Sequence, residues 1–152
     1  MPVKIPYKMQ NESRGYSLSG QRGNEDRALT LAEEALGLVP GCPEYRFTKA
    51  MALHRSGHYD DALEQLLGLD GIAWNTSSRD NFDPPRLTVL RQIFLALTLS
   101  ALDRRDEAKS HLETARELVE STFASDSLVN SVFNEAVNSV NESPAVLSKA
   151  AD

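Results

Sequence analysis

The chain of 152 residues is long enough for one domain of ordinary size with a sizeable core. Its net charge of −6 argues against duplex nucleic acid as a partner, and its single cysteine excludes an intramolecular disulfide and a cysteine metal cluster. The longest apolar run, residues 93–102, is about half of a bilayer span. No signal peptide is visible either, so we expect a cytoplasmic protein without a membrane segment.

Residues 1–24 are predicted to be an irregular lead-in, because prolines and glycines interrupt them and no helical period survives. The interrupting residues are Pro2, Pro6, Gly15, Gly20 and Gly23. Some of the apolar side chains in this segment could still dock on the first predicted helix, namely Tyr7, Met9, Tyr16 and Leu18.

Three helices are predicted between residues 24 and 69. The first runs from Asn24 to Leu38, and its apolar residues recur at helical spacing at Ala28, Leu31, Ala32, Ala35 and Leu38. Pro40 and Pro43 end it, because proline cannot donate a backbone hydrogen bond. The second and third helices cover residues 44–56 and 59–69. The link between them is too short for anything but an antiparallel hairpin.

A polar loop over residues 70–84 separates these helices from three more. The fourth, residues 85–102, is the most apolar and is expected to be central and buried. The fifth covers residues 106–121. The sixth is capped by the segment Ser125-Asp126-Ser127 and ends at about Asn141. It has one apolar stripe and one polar face, which suits a helix that closes the end of a stack, and residues 143–152 form a tail.

The spacing of the small residues carries a family resemblance. Ala62 follows Ala28 by 34 residues, and the segment Gly57-His58-Tyr59-Asp60-Asp61-Ala62 has a counterpart in Asp103-Arg104-Arg105-Asp106-Glu107-Ala108. These segments resemble tetratricopeptide repeats, whose period is about 34 residues. Ala108 follows Ala62 by 46 residues, so the 70–84 loop is an insertion. The resemblance implies an all-α fold over residues 25–142, with antiparallel hairpins stacked as a short right-handed superhelix and a C-terminal capping helix.

The segment from Leu31 to Thr48 is more specific. It resembles the C-terminal tetratricopeptide module of large bacterial multidomain proteins. Three departures stand out: Lys49 occupies a position where these repeats prefer a large apolar residue, Asp103 replaces the turn glycine and Glu120 replaces the terminal proline. The opening helix of the first repeat is expected to be missing. The chain is then a short derivative of a longer array.

The resemblance implies a non-catalytic scaffold that binds a protein or peptide segment on a concave face lined by the first helix of each hairpin. The residues it assigns to this face are Phe47, Met51, His54, Arg55, Leu90, Ile93, Phe94 and Leu97. Trp74 in the insertion loop is a further candidate contact. In each case the alternative is that the side chains pack inside the protein. Thr48, Leu90 and Phe94 replace the Lys, Asn and Arg of the family's carboxylate clamp, which argues against a chaperone-tail adaptor.

Neither a metal site nor catalysis is expected. His54 and His58 have the spacing of two ligands on one helix face, but Gly57 should end the helix between them. The pairs Asp60-Asp61 and Glu33-Glu34 lie on ordinary helix faces without convergent partners. We therefore expect no cofactor. The alternative to a partner-binding module is a structural, self-associating module that forms a homodimer.

Overall fold

A computed structural model of the protein describes residues 6–19, 23–71 and 84–142. In these ranges the chain forms seven α-helices and no strand, which confirms the all-α class. The helices are α1 (Pro6–Ser19), α2 (Glu25–Leu38), α3 (Pro43–Arg55), α4 (Tyr59–Leu67), α5 (Pro84–Ala101), α6 (Arg105–Thr122) and α7 (Ser127–Asn141). The bounds of α2 to α7 agree with the predicted helices to within two residues.

The chain divides into two compact units, residues 1–87 and 88–152. In the first unit, α1 packs against both α2 and α3, α2 packs against α3, and α3 packs against α4. Each helix therefore contacts the next one along the chain, and the first helices of the two hairpins also contact each other. In the second unit, α7 packs against α6.

The prediction of an irregular lead-in is wrong for residues 6–19, which form α1. Docking is the physical reason. Met9 packs against Leu31 and Ala35, and the buried hydroxyl of Ser13 donates a hydrogen bond to the carbonyl of Ala28. These contacts outweigh the poor helix propensity of the segment. Docking of Met9 and Tyr16 on the first predicted helix is confirmed. The expectation that no helix precedes the first predicted helix is therefore wrong as well.

One backbone turn recurs three times. Each copy has a residue in the left-handed region, and these residues are Gly23, Gly57 and Asp103, with φ of 96°, 84° and 60°. Five residues after each of them stands an alanine that is almost completely buried: Ala28, Ala62 and Ala108. Each alanine N–H donates to the carbonyl of the residue four positions earlier, which begins α2, α4 or α6. The internal repeat seen in the sequence is therefore also a repeat of backbone geometry.

The second and third copies of the turn share a further hydrogen bond. The N–H of His58 donates to the carbonyl of Leu53 at 2.9 Å, and the N–H of Arg104 donates to that of Leu99 at 2.8 Å. Both bonds close the end of the preceding helix in the manner of a Schellman motif. Asp103 fills the glycine position, and aspartate is among the residues that tolerate a left-handed conformation best.

The second unit is held together by one apolar stripe and several polar contacts. The predicted stripe of α7 is buried at Val129, Val132, Phe133, Ala136 and Val140, whereas its other members, Leu128 and Val137, are only partly buried. Asp126 Oδ1 accepts hydrogen bonds from the N–H groups of Leu128 and Val129, both at 3.1 Å, and so caps the helix. Ser100 Oγ on α5 donates to the carbonyl of Ser139 at 3.0 Å. The predicted burial of the fourth helix is also confirmed, since residues 89–99 of α5 are buried except for Gln92.

Glycine-to-alanine substitutions at two different positions should change the free energy of unfolding in opposite directions. Gly15 lies inside α1, and a Cβ added to it would meet no atom within 4 Å, so Gly15→Ala should raise the free energy of unfolding by about 0.5–1 kcal/mol through helix propensity. Gly57 has φ +84°, so Gly57→Ala should lower the free energy of unfolding by about 1–2 kcal/mol. Urea denaturation of both variants measures this. Equal signs would show that backbone conformation does not decide the effect.

Candidate functional site

The residues assigned to the partner-binding face on α3 are largely enclosed. Phe47 and Met51 have no exposed surface, and His54 is only 8% exposed. The ring of His54 lies against that of Tyr59, with 5.3 Å between the centroids. Arg55 is half-buried, and its Nε donates to the carbonyl of Ser17 on α1 at 2.6 Å. The α3 face therefore offers a partner little more than part of the Arg55 side chain.

The residues assigned to α5 are enclosed as well. Leu90, Ile93, Phe94 and Leu97 are all at most 3% exposed. Trp74 lies outside the described residues. The burial of these side chains on α3 and α5 agrees with the alternative expectation, that they pack inside the protein. A partner can contact them only if this face opens.

Large apolar side chains are exposed elsewhere. Leu38 and Val39 at the end of α2 and Leu67 at the end of α4 are 52%, 41% and 51% exposed. The prediction that Leu38 shares the inward face of its helix is wrong. Its position explains the difference, because α2 ends at Leu38 and the chain turns away before α3 begins. The termination signal of Pro40 is present in the sequence and could have pointed to this exposure.

Sequence reasoning missed a set of buried polar residues on α1. Ser13 and Ser17 have no exposed surface, and Arg14 is 9% exposed. Among them, the hydroxyl of Ser17 has no hydrogen-bond partner. Serines four residues apart are a weak signal for burial, since serine is mostly a surface residue. Only the packing of α1 on α2 and α3 identifies them as interior.

The described residues contain no group of three or more His, Cys, Asp and Glu side chains that could hold a metal ion. His54 is buried whereas His58 is exposed, so the two histidines do not share one face. A depression on the first unit is lined by Asp26, Arg27, Thr30, Leu31 and Glu34, all on α2. No helix within the described ranges has both the length and the hydropathy needed to cross a membrane.

Cys42, at the start of α3, has a perturbed thiol. Partial burial raises its pKa above the ordinary value of 9.0, and a backbone hydrogen bond with Tyr45 opposes part of this rise. The carboxylate of Glu44 adds to the rise, because Cys42 Sγ donates to Glu44 Oε2 at 3.4 Å and the thiolate would be repelled by it. The thiol is therefore held in its protonated, less nucleophilic form.

Comparisons of the chain with protein-family models, with curated proteins and with solved structures found no match. What the candidate site can do therefore follows from its own geometry.

The environment of Cys42 predicts slow alkylation. At pH 8 the folded protein should react with iodoacetamide more slowly than N-acetylcysteine does, because less of the thiol is ionised. Glu44→Gln should speed the reaction without restoring the full rate, since burial remains. The raised pKa also predicts that stability falls as pH rises above 9.0, where the unfolded thiol loses its proton first. If Cys42 reacts as fast in the folded protein as in the urea-unfolded protein, its pKa is not raised and the prediction is contradicted.

The burial of the α3 face predicts that charge is not tolerated there. Met51→Glu should lower the free energy of unfolding by about 3 kcal/mol or more, because it places an unpaired carboxylate in the core. Leu67→Glu, at an exposed position, is the matched control and should change the free energy of unfolding by at most about 0.5 kcal/mol. Thermal denaturation followed by circular dichroism measures both. Retention of full stability in Met51→Glu would show that this face is open in solution.

Proposed function

We propose that the chain is a non-catalytic protein-interaction module, built as a short right-handed stack of tetratricopeptide-like hairpins that α7 caps. The recurring turn carries this proposal. Gly23, Gly57 and Asp103 occupy the same backbone position, each five residues before a buried alanine. In tetratricopeptide repeats the corresponding glycine and alanine allow two helices to turn and pack closely. Three copies of this turn are about the number of repeats that a stack needs, which supports the proposal.

The packing of the first unit supports the same reading. Contacts between α1 and α2, between α2 and α3, between α3 and α4, and between α1 and α3 are those of two successive hairpins side by side. Such arrays bury their core through nearest-neighbour contacts and leave extended surfaces for partners. The buried stripe and polar outer face of α7 suit a terminal cap.

The proposed binding face is the one that the resemblance assigns, with first-helix residues on α3 and α5. Because its apolar side chains are buried in the isolated chain, a partner segment must bind a state in which this face has opened. The apparent affinity then falls in proportion to the population of that state. Arg55, the half-buried member of the set, lies where such a segment would make its first contact.

The second candidate function is structural self-association. The observation in its favour is the exposure of Leu38, Val39 and Leu67 on the first unit. Exposed large apolar side chains at helix ends are typical of surfaces that another chain covers, although single ones are common on any protein. This function needs no separate ligand.

Peptide selection combined with hydrogen exchange tests the first function. Peptides selected from a random display library on the full chain should slow amide exchange in α3 and α5. Arg55→Ala should weaken their binding by about fivefold or more, and Arg46→Ala on the same helix serves as the control. Protection confined to α2 and α4 would overturn the proposed face.

Light scattering on size-exclusion fractions separates the two functions. A mass near 16.8 kDa at all concentrations supports the partner-binding module. A dimer at every concentration, dissociated by Leu38→Glu or Leu67→Glu, supports self-association instead.

A further inference from the structure

The depression on α2 is a surface that the proposed function does not use. We call it the α2 trough, and it is lined by Asp26, Arg27, Thr30, Leu31 and Glu34. These residues follow one another at alternating steps of one and three along the chain, which keeps them on one side of the helix. The trough therefore runs along the axis of α2, whereas the proposed function places its partner on α3 and α5.

An exposed apolar end adjoins the trough. Leu38 lies four residues after Glu34, on the same side of the helix, and is 52% exposed. Val39 follows it and is 41% exposed. Leu31, inside the trough, is buried because Met9 of α1 packs against it. Large apolar side chains exposed beside a concave surface are typical of a place that another chain covers.

The charge along the trough is mostly negative. Asp26 and Glu34 are exposed and eight residues apart, which is about 12 Å at the rise of an α-helix. The guanidinium of Arg27 lies 3.7 Å from a carboxylate oxygen of Glu12 on α1, which offsets part of its charge. α2 as a whole carries four acidic side chains and one basic one. Its last turn has no basic residue, so α2 itself does not neutralise the negative end of its helix dipole near Leu38.

This charge decides what kind of chain fits the trough. A second copy of this chain would bring two acidic α2 helices together in the symmetric arrangement that most dimers adopt, and like charges across an interface are unfavourable. An acidic segment is disfavoured for the same reason. Lysine or arginine side chains, in contrast, complement Asp26, Glu34 and the end of the helix dipole. An apolar side chain next to them would bury Leu38 and Val39.

We propose that the α2 trough binds a basic segment of another protein. The segment places two cationic side chains, about 12 Å apart, over Asp26 and Glu34, and it packs an apolar side chain against Leu38 and Val39. This surface lies on a second helix of a hairpin and is independent of the first-helix face.

The equivalent helix α4 has a different charge pattern, although it occupies the same place in the repeat. Asp60 lies 34 residues after Asp26, but the residue 34 after Glu34 is Gly68. A Cβ added to Gly68 would lie 2.9 Å from a guanidinium nitrogen of Arg46 on α3. A cationic group of the protein itself therefore lies where α2 has its second carboxylate. This difference predicts that a basic segment selects α2 over α4.

Labelled peptides added to the full chain test the charge and the spacing. The probe is a helical peptide of about 20 residues with two lysines eight residues apart and a leucine four residues outside each lysine, so that either chain direction presents the same pattern. Fluorescence anisotropy should show saturable binding. Glutamate in place of both lysines should weaken it by at least about tenfold, and serine in place of both leucines by about fivefold. Absence of binding by the lysine peptide, or equal binding by the glutamate peptide, would overturn the proposal.

Paired variants test the location. Asp26→Asn and Leu38→Gln should each weaken binding of the lysine peptide by about threefold to fivefold. Asp60→Asn and Leu67→Gln are the matched controls, because Asp60 has the same repeat position as Asp26 and Leu67 is 51% exposed. The controls should change binding by less than about twofold. All four side chains are exposed, so the variants should stay folded. Equal effects of variants and controls would show attraction by net charge alone and overturn the proposal.

Hydrogen exchange and light scattering separate this proposal from the other surfaces. The lysine peptide should slow amide exchange in α2. Protection confined to α3 and α5 would overturn the α2 trough and support the first-helix face instead. A wild-type dimer that Leu38→Gln dissociates would make a second copy the occupant and would also overturn the proposal. Failure of the lysine peptide to bind α2 leaves the binding of a segment at the first-helix face unaffected.

Discussion

The burial of a small residue near the start of a helix is the constraint on which the described fold depends. Ala28, Ala62 and Ala108 lie near the start of α2, α4 and α6, and each is almost fully buried. A larger side chain there would push the paired helices apart, because protein interiors have little spare volume. A left-handed turn lies five residues before each of these alanines, so the chain changes direction shortly before each buried position.

The packing of small residues also accounts for the first hairpin, in which α2 forms a helix far more readily than α1. α2 has an alanine-rich inward face and acidic residues in its first turn, so it is a good helix on local grounds. α1 is not, and it depends on the smooth surface that α2 and α3 provide. The stability of α1 is therefore a property of its packing on α2 and α3 more than of its own sequence.

Burial also changes how the proposed function has to work. Phe47 and Met51 on α3, like Ile93 and Phe94 on α5, are side chains that attract an apolar peptide, but in the isolated chain they stabilise the protein itself. Binding there would have to replace contacts that already exist, and only the difference in free energy would appear as affinity. The exposed acidic residues of α2, α4 and α6 account for much of the negative charge.

The sequence by itself determined α2 to α7, the 34-residue step from Ala28 to Ala62, and the burial of α5 and of the α7 stripe. These features follow from local chemistry, namely helical periodicity, proline and glycine at helix ends, and the capping carboxylate of Asp126. Tertiary structure alone decided the rest. α1 folds against its own propensity because it packs against α2 and α3, and Leu38 is exposed because its helix ends there. The candidate face on α3 is closed because packing, which no local pattern encodes, encloses its side chains.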